Sequence, residues 1–273
     1  MSKVFTIDVA RCSGCYNCQI ACKDEHAGND WTPYAKPQPL VGQFWLKVKE
    51  TVHGTIPKVK IHYTPKLCNH CEKPSCIGAC GNGAIYKRED GLVLIDPEKC
   101  KGCKKCASAC PYEVIYFNDD LNISQKCTGC AHLLDNGKSI PRCVEACPTG
   151  ALRFGEKNEM AEQLTGTVVL SPETGLLPNV YYKNIPGLFI AGTLYDPIEE
   201  EIIEGAACHL SCGPRVWDTV TDDFGDFWFK DLPAGKYELA IKAPGFALKH
   251  ISGIDAGSDV NLGDIPLDQQ PPL

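Results

Sequence analysis

At 273 residues the chain has room for two domains, or for one domain with an appendage. Its formal charge of -7 makes nucleic acid a poor partner. A membrane bundle is excluded as well, because the most apolar long stretch, residues 176–192, is broken by Pro178, Asn179, Lys183, Asn184 and Pro186.

In chain order, Val4 to Asp8 reads as a short strand. Asp8 stands where a signal peptide would carry its apolar run, so the expected location is cytoplasmic, with any membrane association supplied by a partner. Then come Cys12, Cys15, Cys18 and Cys22. Residues 23–62, with Trp31, Tyr34, Phe44, Trp45 and several prolines, read as a long loop-rich insertion that covers a core or a partner surface. Three more groups follow: Cys68, Cys71, Cys76 and Cys80; Cys100, Cys103, Cys106 and Cys110; Cys127, Cys130, Cys143 and Cys147. Residues 156–185 read as a linker crossing a surface. Beyond residue 186 the only cysteines are Cys208 and Cys212, and short alternating runs such as Leu188–Leu194, Phe227–Phe229 and Tyr237–Ile241 predict a small antiparallel β-sandwich. Alternation puts Cys208, Leu210 and Cys212 on one face, which suits small core residues rather than a disulfide.

The run Cys100-Lys-Gly-Cys103-Lys-Lys-Cys106-Ala-Ser-Ala-Cys110-Pro111 has the C-x2-C-x2-C-x3-C-P spacing of a bacterial ferredoxin. There, three thiolates hold one cubane and the fourth, before the proline, ligates another. Sixteen of the 18 cysteines fall into the four groups, the number that four [4Fe-4S] clusters need. A disulfide framework suits short secreted chains, and a zinc ribbon uses two C-x2-C pairs rather than three thiolates at two-residue intervals. With four such clusters the net charge falls to roughly -15. Internal repeats support one duplicated unit: Ile7-Asp8-x-x-Arg11-Cys12-x-Gly14-Cys15 recurs as Ile95-Asp96-x-x-Lys99-Cys100-x-Gly102-Cys103, and Cys76-Ile-Gly-Ala-Cys80 recurs as Cys143-Val-Glu-Ala-Cys147. Gly14, Gly102 and Gly129, each between two ligands, are placed where backbone must approach a cluster closely. Pro111 and Pro148 set the turn after the fourth cysteine, and Gly81 replaces that proline in the second group. His26, His53, His62, His70 and His132 read as surface or supporting residues because every cluster is already complete without them. Lys99, Lys101, Lys104, Lys105, Lys126 and Arg142 beside the ligands fit either a solvated basic face or a role offsetting cluster charge.

This four-group layout, with the last pair split as C-x2-C and C-x3-C, resembles the iron–sulfur subunit of molybdopterin oxidoreductases of the dimethyl-sulfoxide-reductase superfamily, over residues 1 to about 155. The stretches Cys76 to Lys99 and Gln125 to Asp135 resemble the small-subunit type of pyrogallol–phloroglucinol transhydroxylase and of resorcinol hydroxylase. Thr221 to Phe229, Leu232 to Tyr237 and Ala243 to Phe246 resemble carboxypeptidase-regulatory or transthyretin-like domains. The fold implied is α+β: two interleaved ferredoxin-like units in residues 1–155, with 63–120 inserted, then a β-sandwich over 186–273.

The exchange rule together with this resemblance implies a wiring. Cys12, Cys15, Cys18 and Cys147 hold one cluster; Cys22, Cys127, Cys130 and Cys143 a second; Cys68, Cys71, Cys76 and Cys110 a third; Cys80, Cys100, Cys103 and Cys106 a fourth. No residue is assigned as catalytic, since molybdopterin, with molybdenum or tungsten, belongs to a large partner subunit. Small subunits of the transhydroxylase type can carry three clusters, whereas all four sets are complete in this chain. That implies exchange with an external electron acceptor or donor, in a complex acting on polyhydroxylated aromatics. The alternatives are a bridging subunit of a membrane-anchored respiratory reductase, or a free polyferredoxin with a β-sandwich binding module.

Overall fold

A computed structural model describes residues 2–270; Met1 and residues 271–273, the outermost positions of the two expected domains, lie outside the described residues. Residues up to Glu50, together with His62–Ile185, form one compact unit, and Thr51–Ile61 with the chain from Pro186 onward form a second.

The first unit is organised on the strand Lys3–Asp8, whose Val4, Phe5, Thr6 and Ile7 are all buried. It lies antiparallel to Leu152–Glu156, with Phe5 opposite Phe154, and parallel to Val180–Lys183, with Phe5 opposite Val180. Residues 156–185 are therefore tied into this unit: Tyr182 is fully buried, and its hydroxyl donates to the Pro65 carbonyl at 3.0 Å. Around the sheet lie short helices, the longest being Asn17–His26 with ten residues; Ser75–Ala79 and Ala131–Asp135 have five, and Lys105–Ser108 and Arg142–Glu145 four. Helices this short do not hold themselves together in water, so their stability has to come from what they pack against. Two small hairpins, Ile85–Lys87 with Val93–Ile95 and Tyr116–Asn118 with Ile123–Gln125, complete the frame.

Part of the expected loop-rich insertion is a β-hairpin, Lys47–Thr55 with Lys58–Lys66. Its β-branched Val48, Thr51, Val52, Thr55, Val59, Ile61 and Thr64 favour extended backbone, while interspersed lysines blur the apolar alternation.

The second unit is a two-sheet sandwich. In one sheet Leu188–Asp196 is central, antiparallel to Glu201–Ile202 and Asp226–Leu232 and parallel to Val260–Pro266. The other is wholly antiparallel, in the order Arg215–Val220, Ala207–Cys212, Gly235–Lys242, Lys249–Ala256. The parallel pair departs from the all-antiparallel expectation: the last strand returns alongside the first instead of closing a hairpin. Cys208 and Leu210 are fully buried in the core and Cys212 is half-buried at its edge; both cysteines are free thiols. Trp217 packs on Tyr237, with ring centroids 5.6 Å apart, and Trp228 on Phe189 at 5.1 Å.

Candidate iron-sulfur centres

The first C-x2-C loop of each group bends through the left-handed region at the residue before its second cysteine: Gly14 (φ 68°), His70 (φ 42°), Gly102 (φ 68°) and Gly129 (φ 64°). At Gly102 a Cβ would stand 2.6 Å from the Asn122 carbonyl oxygen, so close approach adds to the requirement set by φ. Tyr16 and Lys104, equivalent positions of the internal repeat, are also left-handed, at φ 59° and 60°. Successive bends of this kind turn N–H groups towards the ligand atoms. Thus the Gly129 N–H donates to Cys127 Sγ at 3.4 Å; from the strand Ile123–Gln125 the Ser124 N–H reaches Cys100 Sγ at the same distance.

His70, expected from the sequence as a surface or supporting residue, is buried and shapes a ligand loop. It takes the place of the glycines in the second group, is 1% exposed, and its Nδ1 accepts from the buried Val93 N–H at 3.0 Å. The aligned spacing was the available signal, since His70 stands where Gly14, Gly102 and Gly129 stand. His26 and His132 are buried too, their rings 5.3 Å apart, with His132 Nε2 3.0 Å from Glu25 Oε1.

The fold collects the thiols into four sets. Burial pushes Cys18 up to about 12, and repulsion from Cys12, Cys147 and Cys15 adds to it. Cys22 and Cys143 are driven well above the ordinary thiol range by complete burial and then by Cys127 and Cys130, with Cys22 adding to the effect on Cys143. Cys71 rises to about 12 through burial and then through Cys68, Cys110 and Cys76. Cys80, Cys100, Cys103 and Cys106 line one common space, and Cys68, Cys71, Cys76 and Cys110 another. Neighbouring sets also feel each other: Cys18 acts on Cys22, Cys68 on Cys127, and Cys106 on Cys76. The sets therefore stand in series. Exposed thiols occur only in the terminal sets, at Cys15 and Cys103.

A four-thiolate, four-iron group suits these surroundings. Unmetallated, so many buried thiols disfavour ionisation; bound iron deprotonates a thiol outright and supplies the missing compensation. Cys147 is already held below the ordinary thiol range: burial raises it, but the N–H groups of Leu152, Ala151 and Thr149 and the Thr149 hydroxyl outweigh that.

Comparison with known proteins agrees with this architecture. A 4Fe-4S dicluster domain matches residues 59–157 and a carboxypeptidase regulatory-like domain residues 190–268, which defines an iron–sulfur protein with a β-sandwich appended. The small subunit of pyrogallol hydroxytransferase from Pelobacter acidigallici is 41% identical over 96% of this chain and 97% of its own length. A subunit of tetrathionate reductase from Salmonella typhimurium is 33% identical over 67% of this chain and 73% of its own length. A component of the anaerobic dimethyl sulfoxide reductase of Escherichia coli is 38% identical over 49% and 64%. The chain belongs to the family of iron–sulfur small subunits of dimethyl-sulfoxide-reductase-type molybdopterin oxidoreductases, together with that of pyrogallol hydroxytransferase. No helix among its described residues is long and apolar enough to cross a membrane.

Proposed function

We propose that this chain carries four [4Fe-4S] clusters in series and relays electrons between a molybdopterin-bearing catalytic subunit and an external acceptor or donor. The observation that carries the reading is the serial arrangement of the four thiol sets, ending in the exposed Cys15 and Cys103. Cys12, Cys15, Cys18 and Cys147 would hold the first cluster; Cys22, Cys127, Cys130 and Cys143 the second; Cys68, Cys71, Cys76 and Cys110 the third; Cys80, Cys100, Cys103 and Cys106 the fourth. Bound clusters supply reversible one-electron storage. The chain's own part is to fix their spacing, bury all but one thiol of the two inner sets and aim N–H groups at the sulfurs.

The relative from Pelobacter, named for its action on pyrogallol, supports a polyhydroxylated aromatic as the substrate of the complex. The completeness of the fourth set, with Cys103 exposed, supports electron exchange with an outside partner rather than a closed transhydroxylation.

The test is anaerobic isolation of the native complex, with iron counted per chain and the partner polypeptide and its molybdenum or tungsten identified. About sixteen irons per chain are expected. Zinc in their place, or markedly fewer irons, overturns the reading. Cys103→Ser should lose or convert one centre and leave three.

A further inference from the structure

Lys126 lies one residue before the ligand Cys127 and is 2% exposed. Its ammonium donates to the Val93 carbonyl and, at 3.0 Å, to the Cys127 carbonyl. Among the described residues of this unit no carboxylate is buried, and none pairs with it. A buried ammonium solvated only by two peptide dipoles is costly to keep, because each carbonyl offers a fraction of a charge. Val93, whose carbonyl the ammonium meets, lines the space shared by Cys68, Cys71, Cys76 and Cys110, and Cys127, whose carbonyl it also meets, belongs to the second set, so Lys126 lies between the two sets that present no exposed thiol.

We propose that Lys126 is the fixed countercharge shared by the two inner centres, and that it raises their reduction potentials above what their buried surroundings would otherwise impose. The inference rests on the four-cluster reading above. When an electron passes along the series, the donating centre is oxidised and the receiving inner centre gains one negative charge; no proton moves and no bond breaks. Burial alone opposes that added charge. A cation held between the inner centres favours their reduced forms and leaves the outer two little affected. Lys126 touches no reacting atom, so it is a positioning residue whose effect must be read as a potential.

The experiment is a redox titration of the holo-complex followed by electron paramagnetic resonance, comparing wild type with Lys126→Met and Lys126→Gln, with iron counted in each. The centre missing from Cys103→Ser marks one outer site. Unchanged iron, with two midpoint potentials displaced negatively by a tenfold or greater change in reduction equilibrium, about 59 mV for one electron, is the expected result. Unchanged potentials, or four equal displacements, overturn the proposal. If both neutral variants lose iron, Lys126→Arg decides: clusters assembled at wild-type potentials support the countercharge, and loss of iron there as well shows that shape rather than charge is required. Failure of the underlying reading is distinguishable, because it appears in wild type as a missing centre.

Discussion

The two units close their cores by opposite means. In the sandwich, Ile190, Leu194, Phe227, Tyr237, Leu239 and Ile241 reach 0% exposure against one another, and nothing but their own side chains is needed. The core of the first unit mixes Phe5, Ile7, Leu67 and Leu92 with Cys18, Cys22, Cys68, Cys127 and Cys143, and a smaller one sets Ile85, Val93, Ile95 and Ile115 around Cys76 and Cys106. Its helices beyond Asn17–His26 are four or five residues long, and many of its buried thiols are held protonated because burial penalises their thiolates. The difference teaches that one unit is a self-sufficient hydrophobic fold, whereas the other is a frame whose ordering depends on the groups its thiols bind.

The sharpest way to break that comparison is to withdraw iron. Treatment with reductant and chelator should abolish the cooperative structure of the first unit and leave the sandwich strands intact. Far-ultraviolet circular dichroism would retain a β signal, and limited proteolysis would leave a resistant core made of the Thr51–Ile61 segment and the chain from Pro186 onward. Simultaneous collapse of both units would refute the independence claimed for the second. Next in size is a core truncation. Phe227→Ala, at a fully buried position, should cost the sandwich about 3–5 kcal/mol in denaturant titration without changing iron content. Loss of iron in that variant would contradict the separation of the two cores.

The legibility of the two units differed for the same physical reason. Ligand spacing is a covalent signal, so all four cysteine groups could be read directly, and alternation exposed the sandwich strands around Phe227 and Leu239. What escaped was structure without such a signal. Arg215–Val220 and Lys249–Ala256 carry charged residues on their exposed faces, and the hairpin Lys47–Thr55 with Lys58–Lys66 hides its β-branched residues among lysines. Val180–Lys183 read as linker because a strand added in parallel to Lys3–Asp8 is decided by long-range pairing, not by its own four residues. At the candidate site, the sequence offers His70 as a surface or supporting residue but not its loop role, because a left-handed histidine is a consequence of the loop it completes and carries no local propensity for it. Lys126 was noticed among several basic residues near the ligands; only burial separates it from the exposed Lys101, Lys104 and Lys105.

A smaller perturbation sharpens the comparison within the first unit. Gly102→Ala forces a side chain into a left-handed position and drives its Cβ to 2.6 Å from the Asn122 carbonyl oxygen, at a cost of about 1–3 kcal/mol. The loop carrying Cys100 and Cys103 should loosen, and iron should leave the fourth set several-fold faster under chelator while the inner sets keep theirs. Equal loss from all sets would mean that the frame behaves as one cooperative block.

The smallest effect is expected in the iron-free unit and concerns acid. Asp196 is held below the usual carboxylate range, first by the Gln269 amide donating at 2.6 Å, with the Ile198 N–H at 2.8 Å and the Glu199 N–H at 3.4 Å assisting, against desolvation that works the other way. Its folded-state value therefore lies below that of the unfolded chain, about 3.9. The unfolded chain binds the proton first, so the contribution of Asp196 is fully present above that value and is lost as pH falls through its lower folded one. The thermal midpoint of the sandwich should decline between pH 5 and pH 3, and Asp196→Asn should make that decline shallower while lowering the midpoint slightly at pH 7. Scanning the chelated protein isolates this transition, because the acid lability of the iron centres no longer contributes. An identical slope in the variant would assign the acid sensitivity of the sandwich to other carboxylates and leave the Gln269 contact without a thermodynamic role.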